Sequence, residues 1–204
     1  MADPTALFTE AEARAFDKGQ LADEIAYPTA DITAKEAEIR EWLTKVCGVD
    51  LIPTTHADEL QSGDGTATLL LNWPRVQSVT AASTRSGTTW TALTAAELAL
   101  VVVDPDGTGM LYRDGAYWPA GVGNVKVTYK AGYTAVPALI KRAALMICVN
   151  ELPASNAPWD ASSYEAGGVS WSLARGDGYQ GNWSSIPDVM KAIRAHSYST
   201  SGIA

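Results

Sequence analysis

Apolar residues recur along this chain in two rhythms, one helical and one alternating. Ile32, Glu36, Ile39, Leu43 and Val46 fall on one face of a helix over 31–47, and Glu36 is the only polar member of that set. Thr29, Asp31 or the Thr33–Glu36 pair can start this helix, and Gly48 stands where a left-handed cap ends it. A shorter helix over 10–18 is predicted by Thr9 and Glu12, spaced so that each side chain bonds the other's backbone N–H, and it stops near Gly19.

From 51 to about 133 the language changes to short runs rich in Val, Thr, Leu and aromatics, punctuated by Gly, Asp, Asn and Pro. Strands are predicted over 66–73, 76–85, 88–91, 98–103, 109–113 and 124–130. Ser86-Gly87 and Asp114-Gly115 form turns between them, and Val125, Val127 and Tyr129 face inward. Helical patterning returns at Pro137, and the polar members of 137–152 are Lys141, Arg142, Asn150 and Glu151. So wide an apolar surface predicts a central helix covered on most sides. The stretch 153–185 mixes Gly, Ser and Asn with Trp159, Tyr164, Trp171, Tyr179 and Trp183, more aromatic area than a solvated loop needs. A last helix over 187–198 begins at Pro187-Asp188 and carries an apolar stripe of Ile186, Val189, Ile193 and Met190.

These elements predict an α+β fold: a small helical bundle (helices near 10–18, 31–47, 137–152 and 187–198) with an inserted antiparallel β region over about 51–133. The expected segments of this one domain are 1–50 (N-terminal helices), 51–133 (β insertion), 134–152 (central helix), 153–185 (aromatic-rich arm) and 186–204 (C-terminal helix and tail). With 204 residues, 47% of them hydrophobic, the chain can bury a real core and is not disordered throughout. No apolar run reaches the roughly 20 residues of a membrane helix, and the Met-Ala-Asp-Pro-Thr start lacks a secretion signal, so a cytoplasmic origin is expected. Cys47 and Cys148 both sit in apolar helical patterns and read as buried free thiols.

Charge changes the picture more than composition does. The formal net charge is −8, which disfavours a protein that grips a phosphate backbone. Residues 1–65 hold 14 acidic and 5 basic side chains, while 66–204 hold 9 acidic and 10 basic. The whole acidic excess therefore lies in the first third. Between Asp114 and Glu151 the only charged residues are the basic Lys126, Lys130, Lys141 and Arg142.

Candidate chemistry is sparse. His56 stands near Asp58 and Glu59, yet the only other histidine is His196, too few ligands for a common zinc site. Gly63-Asp-Gly65, Asp104-Pro-Asp-Gly107 and Gly176-Asp-Gly178 lack the downstream bidentate Glu of a calcium loop and read as tight turns. Glu36, Glu38 and Glu41 read as an exposed carboxylate row rather than an acid–base pair. No nucleophile elbow, phosphate-cradling loop or dinucleotide fingerprint occurs. The expectation is a non-enzyme without metal or cofactor, whose function is contact.

The order of elements then carries a resemblance. The helix ending Trp42-Leu-Thr-Lys-Val-Cys-Gly48, the segment Leu71-Asn-Trp-Pro-Arg-Val-Gln-Ser-Val79, Asn124-Val-Lys-Val-Thr-Tyr-Lys-Ala-Gly-Tyr133, Pro137-Ala-Leu-Ile-Lys-Arg-Ala-Ala, Gly168-Val-Ser-Trp-Ser-Leu-Ala and Ile186-Pro-Asp-Val resemble the head-to-tail connector (adaptor) proteins of long-tailed bacteriophages. The resemblance implies a virion neck protein, assembled in the host cytoplasm as a homo-oligomeric, dodecameric ring below the portal protein. Such a ring passes DNA without binding it specifically, meets the next neck or tail protein on its far side, and touches no membrane. It also implies portal contacts at Ile186, Val189, Met190, Ile193 and Tyr198, and an inter-subunit arm bearing Trp159, Tyr164, Trp171, Tyr179 and Trp183. Charge adds inter-subunit electrostatic candidates: Lys126, Lys130, Lys141 and Arg142 against Glu36, Glu38 and Glu41. The alternatives are a neck stopper or tail-completion protein, a carbohydrate-binding β module suggested by seven tryptophans, and a small hydrolase.

Overall fold

The computed structural model describes residues 3–19, 21–152, 163–166, 169–172 and 186–198. In chain order its elements are α1 (Glu10–Ala15) with a 3-10 turn at Phe16–Gly19, α2 (Thr29–Cys47), β1 (Thr54–Gly63), β2 (Thr68–Leu70), β3 (Val76–Ser86), β4 (Thr89–Ala92), α3 (Ala95–Leu98), β5 (Val101–Val103), β6 (Met110–Arg113), β7 (Gly121–Ala131), α4 (Ala138–Glu151), β8 (Ser163–Ala166), β9 (Val169–Ser172) and α5 (Pro187–His196). The chain divides into two compact units. One holds Met1–Thr5, Thr44–Pro137 and Ser197–Ala204, and the other holds Ala6–Leu43 and Ala138–His196.

The first unit is built on antiparallel sheets. A four-stranded sheet runs β1-β7-β3-β4 and a three-stranded one runs β2-β6-β5. In β7 the alternation of Val125, Val127, Tyr129 and Ala131 places all four in the core, together with Leu69, Leu71, Leu111 and Trp118. Each large side chain so buried contributes about 1.5–3 kcal/mol. Gly87 turns β3 into β4 at φ +60, as Ser86-Gly87 predicts. Gly132, just past β7, is required on two counts: its φ is +112, and a Cβ there would lie 2.3 Å from the Ile52 carbonyl oxygen. β1 is an edge strand interrupted by a bulge between His56 and Glu59, where Asp58 takes φ +52 and donates its N–H to Thr128 Oγ1 at 3.1 Å. Such a bulge blunts a free edge against stray pairing.

The second unit is organised by α4, which buries Ile140, Ala143, Ala144, Leu145, Ile147, Cys148 and Val149. The expected central helix is therefore covered across a broad face. α1 opens with the predicted capping box, Thr9 Oγ1 accepting the Glu12 N–H while Glu12 Oε2 accepts the Thr9 N–H. α2 buries Ile32, Glu36, Ile39 and Leu43, but its stripe ends on Cys47, and Val46 turns outward. Both cysteines are buried and free, and burial pushes each thiol up to about 11. β8 and β9 pair as an antiparallel hairpin inside the stretch read from sequence as a loop.

The expected small helical bundle with a β insertion is not the fold that forms: antiparallel sheets dominate, with a few helices. The physical reason lies in the β region's own core. Trp118, Tyr129 and Leu111 are fully buried within the strands of the first unit, which make a self-contained body rather than an excursion from a bundle.

Candidate functional site

The charged groups closest to a catalytic constellation lie in the first unit, around His56. Its Nε2 meets Asp50 Oδ2 at 2.6 Å, and its ring stacks on Trp73 and Tyr129 at centroid distances of 5.1 and 5.2 Å. Tyr129 donates its hydroxyl to Glu59 Oε2 at 2.7 Å, and Glu59 Oε1 accepts from Gln61 Nε2 and the Asn72 N–H. Burial raises Asp50 above the usual carboxylate range, with the His56 hydrogen bond opposing and the Glu59 charge adding. Burial, reinforced by the hydrogen bond to Glu59, likewise raises Tyr129. Each member has partners, so the network is a polar weld joining the segment after α2, β1, β7 and the β2–β3 connection. The His56–Asp58–Glu59 corner does not assemble, because Asp58 sits in the bulge and Glu59 turns to Tyr129. Among the described residues no group of three His, Cys, Asp or Glu side chains is placed to hold a metal.

The remaining candidates are surfaces. Ile186 just before α5 and Val189 and Ile193 on it are buried, Met190 is half-buried, and α5 packs on α4. The face this helix leaves open carries Asp188, Lys191 and Arg194. Tyr198 donates its N–H to the Cys47 carbonyl and its hydroxyl to the Thr108 carbonyl, both at 2.8 Å, so it ties the tail to the end of α2 and to the β5–β6 connection. Of the aromatic arm, Tyr164 and Trp171 are register partners on β8 and β9, whereas Trp159, Tyr179 and Trp183 lie outside the described residues.

The electrostatic candidates are placed mostly in pairs within the chain. Lys130 pairs with Asp3, Lys141 with Glu12 at 2.8 Å, Arg142 with Asp188 at 3.2 Å and Glu38 with Lys35 at 2.6 Å. The Lys141 hydrogen bond lowers Glu12 below its usual range. Glu36 is not exposed as its pattern with Glu38 and Glu41 suggested. It is 5% accessible, its Oε1 accepts the buried Leu7 N–H at 2.8 Å, and its Oε2 lies 3.6 Å from Arg40. Glu41 also has a partner within the chain. Lys126 is different: its Nζ rests 4.7 Å from the Trp90 ring centroid.

Several exposed apolar side chains carry no distinguishing signal in the sequence: Ile25 and Val122 stand outside any periodic pattern, and Leu70, Val102 and Tyr112 lie in apolar runs whose members the strands divide between core and surface. Ile25 and Val122 are 94% and 87% exposed, and Leu60, Leu70, Val102, Tyr112 and Tyr117 are also open. Val102 and Tyr112 are cross-strand partners on the outer face of the small sheet, beside a shallow groove of about 480 Å³. Exposed apolar area of this kind marks contact surfaces.

The model of the head completion protein family matches residues 6–150, and the chain belongs to that family. The resemblance to head-to-tail connectors drawn from the sequence is met: this is a connector-type structural protein of a virion. A chain from the neck of an empty GTA particle computed with C6 symmetry has a similar fold, at 17% identity and a TM-score of 0.54, over 97% of this chain and 95% of that one. No curated protein matches the chain.

Proposed function

We propose that this protein assembles as a ring in the neck of a phage-like particle, below the portal protein, and continues the DNA channel toward the next neck or tail protein. The observation that carries this reading is the fold shared along nearly the whole chain with a component of a sixfold-symmetric neck. A dodecameric ring fits that symmetry as two copies in each sixfold unit. An acidic chain suits a channel that lets DNA slide, because clustered cations would hold the phosphates. The role is structural and needs no catalytic group. Portal attachment is assigned to the C-terminal helix and tail, Ile186, Val189, Met190, Ile193 and Tyr198 setting its position and Lys191 and Arg194 facing outward. The stretch with Trp159, Tyr164, Trp171, Tyr179 and Trp183 is assigned to the neighbouring subunit, since five large aromatics favour burial on assembly.

The test is native mass spectrometry and negative-stain microscopy of the full chain mixed with its portal. A stoichiometric ring on the portal is expected, and the double reversal Lys191→Glu with Arg194→Glu is expected to weaken it. A chain that stays monomeric and fails to co-sediment with saturating portal overturns the reading.

A further inference from the structure

The second unit carries a projecting knob. Between Leu21 and Tyr27 the chain exposes Asp23, Glu24 and Ile25, and Ile25 is 94% accessible. The knob is rigidly held. Arg14 donates Nη1 to the Leu21 carbonyl at 2.8 Å and Nη2 to the Tyr27 carbonyl at 3.0 Å, clamping both ends, while Nε bonds Glu10 at 2.7 Å. Asp23 Oδ1 accepts the Ile25 and Ala26 N–H groups at 2.9 and 3.1 Å, and the Tyr27 N–H returns to the Asp23 carbonyl at 2.9 Å. A large apolar side chain held almost wholly in water, preceded in the chain by two exposed acidic residues and fixed in advance, is a poor solution for a lone monomer and a good one for an anchor.

The first unit carries a surface of opposite character. Arg85 on β3 and Lys126 on β7 both lie over the Trp90 ring of β4, 5.4 and 4.7 Å from its centroid. Neither forms a salt bridge among the described residues. Two like charges are thus held close to one indole ring, within about 10 Å of each other. Beside them, Arg85 Nη2 donates to the Val122 carbonyl at 3.3 Å, and Val122 itself is 87% exposed. Leu60, the register partner of Lys126 on β1, is open as well.

We infer that the Asp23-Glu24-Ile25 knob of one copy seats on the Arg85–Trp90–Lys126 patch of the next, with Ile25 against Val122 and Leu60. The inference rests on the ring reading and names its subunit contact. Charge complementarity selects a second copy as occupant: two acidic residues adjoin Ile25 in the chain, while Arg85 bonds the Val122 carbonyl and Lys126 is the register partner of Leu60, both cations without a salt bridge among the described residues. Knob and patch are different surfaces of one chain, so the contact is head-to-tail, and such contacts propagate until the rotation closes a ring.

The experiment uses portal-bound assemblies of the full chain. Ile25→Cys and Val122→Cys chains are mixed in equal amounts and mildly oxidised. Cys47 and Cys148 stay out of the reaction because they are buried and their thiols are pushed up to about 11. The expected result is a disulfide-linked dimer in the mixture that neither single variant gives, and a ladder from the doubly substituted chain. Asp23→Lys with Glu24→Lys is expected to weaken assembly about tenfold, as is Arg85→Glu with Lys126→Glu, and the combined quadruple change restores it. Rings seen by native mass without the mixed disulfide and without charge rescue overturn this contact while leaving the ring intact. Retention of duplex DNA by the same patch in those rings would give it to phosphate instead. Wild-type chain that forms no ring on portal overturns the ring reading itself.

Discussion

Glu36 offers the sharpest test of how the helical unit is held. Replacing it with Ala removes the acceptor of the buried Leu7 N–H, a charge-assisted bond whose loss leaves an orphaned donor at a cost of about 1–3 kcal/mol. The Arg40 partner one turn on adds roughly 0.3–0.5 kcal/mol. The buried methylenes add about 0.8 kcal/mol each. Relief from burying a carboxylate offsets part of this, so Glu36→Ala is expected to cost about 3 kcal/mol. Glu36→Gln keeps a carbonyl for Leu7 and is expected to cost about 1 kcal/mol. In a chain of this size each kcal/mol moves Tm by about 2–4 °C, so thermal unfolding should fall by about 9 °C for Ala and about 3 °C for Gln. Glu38→Ala, which breaks only the exposed pair with Lys35, is the control and should cost under about 0.5 kcal/mol. The reasoning is refuted if Gln is as damaging as Ala, or if the Glu38 and Glu36 truncations have equal effects.

Gly132→Ala forces a Cβ onto the Ile52 carbonyl oxygen and should cost about 3 kcal/mol or more in urea unfolding, whereas Gly87→Asn, with open space around its φ of +60, should stay within about 1 kcal/mol of wild type. Val189→Ala is expected to cost about 2 kcal/mol by cavity formation, because this α5 side chain is fully buried; an effect near zero would place α5 outside the fold. The folded pKa of Glu12 lies below its ordinary 4.5, so the pair with Lys141 stabilises above that value and its contribution is lost as pH falls through the lowered one. Lys141→Met should therefore cost under about 0.5 kcal/mol at neutral pH, the pair being partly exposed, and nothing in strong acid; a difference that grows as pH falls would contradict the sign.

What the sequence carried well was local. The α1 capping box, the apolar face of α2, the turn at Gly87, the inward alternation of β7 and the breadth of α4 each follow from spacing within a dozen residues. β1 was not legible, because its Thr-Thr-His-Ala-Asp-Glu-Leu-Gln-Ser-Gly sequence alternates half-buried and exposed positions at an edge and carries no apolar stripe. α3 gives no apolar signal despite the capping box of Thr94 and Glu97, since its four residues bury nothing. The fold class failed for a non-local reason: whether strands make the body or an insertion depends on pairings such as Thr54 with Ala131, and no local pattern states them. The burial of the site candidates is likewise not stated by local pattern. Ile186, Val189 and Ile193 form the stripe any docked helix shows, so periodicity alone could not tell core from partner surface.

The uneven charge along the chain takes its meaning from these pairings. An acidic first third and a basic stretch from 126 to 142 suggest attraction between subunits, yet most of that attraction is satisfied inside one chain. Asp3 finds Lys130, Glu12 finds Lys141, and Arg142 turns to Asp188. Folding thereby removes three of the four central cations from the set a neighbour would meet and leaves Lys126. The acidic side loses Glu36 to burial and Glu38 to Lys35. Charges that remain without such partners gain more from a neighbour, because no existing ion pair must be broken to engage them. Asp23 and Glu24 beside Ile25, and Arg85 and Lys126 over Trp90, meet that condition, and each set stands next to an apolar side chain open to water. The coincidence of unneutralised charge with exposed apolar area, acidic at Ile25 in one unit and basic at Val122 and Leu60 in the other, is what directs the inferred subunit contact to these two places.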